Sequence, residues 1–206
     1  IELYHHPYSR ASTVLWMHEE VGTPYSLRPV DILAGEQKSE DIVRLNPMGK
    51  LPIMVDEGTV ITEVAAIGLY LADRYAPGRL APALDDPARG TYLRWSLFAP
   101  SVIEPGSMAK LQKWEYKAGS AGWGTHEEML AAMESAVAGG DFIVGEKFTM
   151  ADVIFGGTLR FMLKFKMVAP TASFTAYVNR LEARPALQKA DAKNDAIIAE
   201  LGLNKG

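Results

Sequence analysis

The chain contains no cysteine. That excludes disulfide frameworks, thiolate metal sites and any redox cycle run by a protein thiol, so sulfur chemistry here must use the sulfur of a ligand. Basic residues are not in excess: 21 Lys and Arg stand against 25 Asp and Glu, and no stretch gathers them into a stripe that could neutralise phosphates, which argues against nucleic acid. Long apolar runs are absent too. Stretches such as Val64 to Leu71 fall far short of the ~20 residues of a membrane span, and no signal-peptide pattern is seen. The expected setting is therefore cytoplasmic, with no membrane partner. Histidine is scarce, at four, and none stands at zinc-ligand spacing, so no metal site is expected. The adjacent His5 and His6 would point to opposite faces of an extended segment and read as ordinary polar residues.

What is present is enough apolar material, 48% of 206 residues, to bury a substantial core. Ile1 to Tyr4 reads as a strand stopped by Pro7, and Arg10 to Val21 as a helix ended by Gly22 and Pro24. Tyr25 to Val30 follows as a strand, and Glu36 to Leu45 as a weakly patterned helix before the turn residues Asn46, Pro47 and Gly49. Leu51 to Val55 and Thr59 to Thr62, split by Asp56-Glu57-Gly58, give a hairpin signal. Val64, Ile67, Leu71 and Tyr75 then recur at helical spacing. The order strand, helix, strand, helix, hairpin, helix suits a small mixed sheet with helices on both faces, an α/β unit.

Proline and glycine cluster from Pro77 to Pro87, and strand signals cease after them. Helical spacing runs from Tyr92 to Leu111, Met129 to Val137, Val153 to Met167 and Phe174 to Leu181, an all-α bundle. The division expected is residues 1–77, a linker over 78–87, and a helical domain over 88–206. Thr149-Met150-Ala151-Asp152 reads as a capping box, with Phe148 and Val153 placed for a hydrophobic staple. The glycines of Gly119 to Gly124 read as an interhelix loop.

Three segments together resemble the cytosolic glutathione S-transferase superfamily: Leu3-Tyr4-His5-His6-Pro7-Tyr8-Ser9-Arg10, Asn46-Pro47-Met48-Gly49-Lys50-Leu51-Pro52, and Thr62-Glu63-Val64-Ala65-Ala66-Ile67. The resemblance implies an N-terminal thioredoxin-like domain (βαβαββα) that holds glutathione, followed by a helical bundle that supplies a hydrophobic substrate pocket. It implies that Pro52 is cis and that the backbone of Leu51 meets the cysteinyl part of glutathione. Glu63 and Val64 match an acid-then-serine pair that meets the γ-glutamyl end; Val64 departs from it by lacking the hydroxyl. Lys50 and Lys38 stand where relatives place cations near the peptide's carboxylates.

The resemblance also calls for a donor that holds the glutathione thiol as thiolate, against a free thiol pKa near ~8.5. Ser9 stands two residues after Pro7, as the serine does in phi-type members, and directly before the first helix, where helix N–H groups converge. Tyr4 is the alternative, by the count of the tyrosine-type classes; counting as in theta-type members falls on His6, and the cysteine of beta-type members falls on Arg10. The class stays open between these, and Arg10 adds a nearby positive charge in each case. Tyr92, Trp95, Phe98, Ser101 and Met108 on the first bundle helix are candidates for the hydrophobic pocket, but a Met and aromatic stripe at helical spacing is more often core, so none is assigned as a contact. The implied activity is conjugation of glutathione, a co-substrate with no permanently bound cofactor, to small hydrophobic electrophiles, with peroxide reduction beside it. A homodimer is implied as well. The alternative is a non-catalytic glutathione- or ligand-binding protein on the same fold.

Overall fold

The computed structural model describes residues 1–203. In chain order the elements are β1 (Glu2–His5), α1 (Ala11–Val21), β2 (Ser26–Pro29), α2 (Glu40–Leu45), β3 (Ile53–Asp56), β4 (Thr59–Thr62), α3 (Val64–Tyr75), α4 (Ala88–Phe98), α5 (Glu104–Leu111), α6 (His126–Ala138), α7 (Met150–Lys164), α8 (Ala172–Glu182) and α9 (Pro185–Glu200). They form two compact units, one of Ile1–Tyr75 with the chain from Ala183 on, the other Ala76–Glu182.

The first unit is a four-stranded thioredoxin-like sheet in the order β2-β1-β3-β4. β1 runs parallel to β2 and antiparallel to β3, and β3 pairs antiparallel with β4. Alternation along the strands splits their side chains between two faces. Leu3 and Met54 are cross-strand partners and fully buried, as are Val14 and Leu15 of α1 and Ile67 and Leu71 of α3. On the other face Val30, Ile42 and Ile53 form a smaller core, with Tyr4, Ile32, Leu45 and Leu51 packed against it.

α9 escaped the sequence pattern. Its buried positions are Leu187, Ala190 and Asn194, a stripe that is small or polar after its first residue. It packs on α1, so the helical stretch expected over 88–206 is divided in the structure: the chain from Ala183 on joins the sheet unit, and 204–206 lie outside the described residues. Charge fills the seam. His5 Nε2 and Asn194 Oδ1 lie 2.9 Å apart, Arg184 pairs with both oxygens of Glu20 at 2.6 and 2.7 Å, and Lys193 Nζ meets Glu19 Oε1 at 2.6 Å.

The second unit is helical. The single helix expected over Tyr92 to Leu111 is α4 and α5 joined by a π-helical segment, Ala99–Ile103, which carries Pro100. Proline lacks the N–H that would continue the α ladder, and the wider turn accommodates it. α7 and α8 cross closely at Gly156, where a Cβ would stand 2.2 Å from Leu181 Cδ1. The capping box opens α7 and extends into a hub. Asp152, fully buried, accepts from the N–H of Thr149 and Ile143, each at 2.8 Å, from the Tyr177 hydroxyl at 2.9 Å and from the Thr149 hydroxyl at 3.2 Å. The Phe148 ring meets Phe142 edge-on at 5.4 Å.

Candidate functional site

Strand register brings separated segments to one end of the sheet. Tyr4 lies opposite Ile53, Ile53 opposite Thr62, and His5 beside Pro29. The chain leaving β1 (His6 to Arg10), the chain entering β3 (Leu51-Pro52), the chain leaving β4 (Glu63-Val64) and the chain leaving β2 therefore all emerge at that end. Backbone pairing alone enforces this, since strands have a fixed rise per residue.

The turn after β1 is organised by His6. Its carbonyl accepts the Ser9 N–H at 3.0 Å and the Ser9 hydroxyl at 2.8 Å, and its Nδ1 accepts the Tyr8 N–H at 3.1 Å. Ser9 Oγ in turn accepts the Ala11 N–H at 3.1 Å, satisfying one of the open donors of α1. Arg10, exposed, is the last residue before α1. Both histidines expected to be ordinary polar residues are buried, each 2% exposed. Burial pushes His5 down to about 4, against the Asn194 bond that pulls it up, and lowers His6, against the charge of Asp31. Tyr4, the alternative donor, lies on β1 with its ring against the Val30, Ile42 and Ile53 cluster.

Asn46 organises the second turn. It is 5% exposed; its amide donates to the Lys50 carbonyl at 2.8 Å and its Oδ1 accepts the Met48 N–H at 3.1 Å. Lys38 reaches the same turn, Nζ to the Met48 carbonyl at 2.7 Å. Gly49 has φ +55, and a Cβ there would lie 2.8 Å from Lys38 Cδ and from the Gln37 carbonyl oxygen, so glycine is needed both for conformation and for room. The Lys50 side chain is exposed, while its carbonyl holds the turn. The Leu51–Pro52 bond is cis, and Pro52 is buried.

Glu63 stands at the start of α3 with φ 67, left-handed for a residue that has a Cβ, and its carbonyl accepts the Ile67 N–H at 2.9 Å. Such a conformation costs about 1 kcal/mol or more and persists where surroundings impose it. The Glu63 side chain is exposed, so no burial of its own accounts for the strain. The N–H groups of Val64, Ala65 and Ala66 precede the first intrahelical bond of α3, a set of donors suited to a carboxylate, with the Glu63 carboxylate beside them for an ammonium. Val64 is half-buried and brings no hydroxyl.

Of the five candidates left open between core and pocket, Tyr92 and Trp95 are core: they are 0% and 6% exposed, and Trp95 meets Phe98 and Phe155 edge-on at 5.0 and 5.7 Å. Their helical spacing marked the packed face of α4. Ser101 and Met108 are exposed. Sequence reasoning missed His6 and Asn46 as organisers of the two turns, and Asn194 behind His5. Asn46 alone left a signal, as an Asx residue heading a Pro-Met-Gly turn.

Comparison with known proteins agrees with the fold. The family model described as glutathione S-transferase, N-terminal domain, matches residues 7–74, and that of the C-terminal domain matches 117–189. The chain is 26% identical to glutathione S-transferase D7 of Drosophila melanogaster over 77% of its length and 73% of that protein's, and 28% identical to glutathione S-transferase Z2 of Arabidopsis thaliana over 82% and 80%. A solved glutathione transferase of Burkholderia graminis, with two glutathione molecules bound per subunit, superposes with a TM-score of 0.74 at 26% identity over 92% of this chain and 86% of that one. A thioredoxin-like sheet with a cis-proline turn, a strained acid opening α3 and a helical second unit, matched by both family models, place this chain in the glutathione S-transferase family.

Proposed function

We propose that the chain binds glutathione at this end of the sheet and stabilises its thiol as thiolate for attack on small hydrophobic electrophiles. Peroxide reduction would draw on the same thiolate. The observation that carries the reading is the register, which collects the Ser9 turn, Leu51-Pro52 and Glu63-Val64 at one end of the sheet, with Glu63 held in a strained conformation. In this reading the Leu51 backbone pairs with the cysteinyl residue as an added strand would, and Glu63 with the first N–H groups of α3 takes the γ-glutamyl ammonium and carboxylate. Lys38 and Lys50 face the remaining carboxylate.

Ser9 is the proposed thiolate donor. Its single hydroxyl hydrogen lies on the His6 carbonyl, which also accepts the Ser9 N–H, so the hydroxyl can turn to a sulfur without leaving that carbonyl unpaired. It keeps the Ala11 N–H meanwhile. The packing of Tyr4 against an apolar cluster favours Ser9 over it. Ser9→Ala is expected to raise the pKa of the bound thiol and to lower kcat/KM most near neutral pH, with little change for Tyr4→Phe. The thiolate absorbance of bound glutathione, followed against pH, checks it. An unchanged titration would assign Ser9 to the cap of α1 alone, worth about 1 kcal/mol of stability.

A non-catalytic ligand-binding role is the second reading, favoured by the missing hydroxyl at Val64 and by the hydrogen bond that occupies the Ser9 hydroxyl. Calorimetric titration with glutathione and S-hexylglutathione tests the shared premise, because no heat from either removes glutathione from both readings. Val64→Ser should tighten glutathione by about 1 kcal/mol; equal or weaker affinity would place the γ-glutamyl carboxylate elsewhere. A homodimer is part of the proposal, tested by sedimentation across a concentration series. So are a role in detoxification and a cytoplasmic setting, where glutathione keeps thiols reduced.

A further inference from the structure

The turn that follows β1 fixes which nitrogen of His6 carries the ring proton. The Tyr8 N–H donates to Nδ1 over 3.1 Å, so Nδ1 must offer a lone pair, and a neutral imidazole then holds its hydrogen on Nε2. Burial keeps the ring neutral near pH 7, since it lowers the His6 pKa against the opposing charge of Asp31 on the chain leaving β2. An edge-on contact with the Tyr8 ring, centroids 5.7 Å apart, adds to the Nδ1 bond in holding the imidazole in place. His6 is only 2% exposed, yet its Nε2–H has no acceptor among the described residues. A donor in a buried side chain that folding leaves unpaired calls for an acceptor from outside the chain.

Backbone register places that donor. β1 and β3 pair antiparallel, with Leu3 opposite Met54 and Tyr4 opposite Ile53. Two places further on, the same register sets His6 opposite Leu51, the residue whose backbone is proposed to meet the cysteinyl part of glutathione. The Ser9 hydroxyl belongs to the same turn, its hydrogen on the His6 carbonyl at 2.8 Å. The two donors differ in freedom. Ser9 must release a carbonyl before it can serve a sulfur, whereas His6 Nε2–H has nothing to release.

We propose, on the reading that glutathione binds at this end of the sheet, that His6 is a second catalytic residue, its Nε2–H donating a hydrogen bond to the glutathione sulfur beside the Ser9 hydroxyl. His6 acts as donor and not as base, because the one lone pair of its neutral ring is taken by the Tyr8 N–H. The thiol proton passes to solvent, and the thiolate left behind accepts from Nε2–H and from Ser9.

Two measurements on the full chain test this. In the first, the thiolate absorbance of bound glutathione is followed against pH in the unsubstituted protein and in His6→Asn, whose side-chain oxygen can still accept the Tyr8 N–H but whose shorter side chain has no donor at the Nε2 position. The bound thiol's pKa is expected to rise by about one unit, a tenfold loss of thiolate well below it. The second needs no substitution: nitrogen-15 NMR of the His6 ring should show the proton on Nε2, and that proton should move downfield with glutathione but not with S-hexylglutathione, whose sulfur cannot ionise. A thiol that titrates in His6→Asn as it does in the unsubstituted protein, a ring protonated on Nδ1, or an equal proton shift with both ligands would each overturn the role of His6 alone. An unsubstituted protein that binds no glutathione, or binds it with a thiol still titrating near ~8.5, would instead overturn the glutathione reading and the role of His6 with it.

Discussion

The α1–α9 seam and the Asp152 hub both bury carboxylates, and they neutralise the cost in opposite ways. In the seam Glu19 and Glu20, whose side chains are each 4% exposed, face cations: Lys189 and Lys193 at Glu19, Arg184 at Glu20. Burial pushes Glu19 up, but Lys189, Lys193 and the Tyr25 hydroxyl outweigh it and bring it down to about 2. Asp152 meets only neutral donors, and burial wins, raising its pKa despite the bonds from Ile143, Thr149 and Tyr177. Opposite charge overcomes desolvation where hydrogen bonds alone do not. The seam also joins elements far apart in sequence, while most of the hub lies within one loop and helix start. A local cap can use short neutral donors; a long-range clamp needs side chains that reach.

The comparison breaks first at its strongest point. Asp152→Ala would leave two backbone N–H groups and the Tyr177 hydroxyl without their acceptor in a buried position, and should cost about 4 kcal/mol. Urea unfolding with hydrogen exchange should show α7 and α8 losing protection while α1 and α9 keep theirs. Uniform loss would mean that the hub supports the whole chain.

Acid should strike the other region. His5 and His18 are held neutral in the fold, each pushed down to about 4, chiefly by burial. His18 is fully buried against the Tyr25 ring at 4.6 Å, with neither ring nitrogen hydrogen-bonded among the described residues. Between the unfolded value near ~6.5 and the folded one the unfolded chain binds more protons, so stability is present above that window and is lost as pH falls through it. The loss is about 1.4 kcal/mol per pH unit for each histidine, up to roughly 3 kcal/mol each. Glu19 holds its contribution down to still lower pH, since its folded value lies below the unfolded one. Exchange measured from pH 7 to 4.5 should open α1 and α9 before α7, and His18→Gln should flatten the dependence. An equal response in both regions would show that the histidines do not govern it.

Arg184→Ala is the smallest of the three, at about 2 kcal/mol, because the Arg184 side chain is 28% exposed and water can reach Glu20 once it is gone. Adding Glu20→Gln should recover part of the loss, as removal of the stranded charge requires. No recovery in the double variant, read by thermal melting near neutral pH, would mean that the pair acts through packing.

The order of elements along the chain and the hairpin were legible because short β-rich runs bounded by turn residues mark β1, β3 and β4, and three-to-four spacing marks α1, α3, α6, α7 and α8. The Thr149–Asp152 box was legible because capping is written within four residues. For the candidate site, the motifs of the three segments named Ser9, Leu51-Pro52 and Glu63-Val64, but only the register shows that they leave the sheet at one end. Periodicity alone could not tell core from pocket at Tyr92 and Trp95, which burial assigns to the core.

By itself, then, the sequence determined the two-part order, the helix caps and the absence of a protein thiol, all properties of neighbours along the chain or of composition. Tertiary structure alone decided that α9 belongs with the sheet, that His5 and His6 are buried, and that the Ser9 hydroxyl lies on the His6 carbonyl. The physical reason is reach. Asn194 meets a histidine 189 positions away, and Arg184 a glutamate 164 away, so no window of local pattern contains both partners. A helix whose buried stripe is Leu187, Ala190 and Asn194 shows its apolar face only once α1 supplies the partners that make an asparagine and an arginine acceptable there.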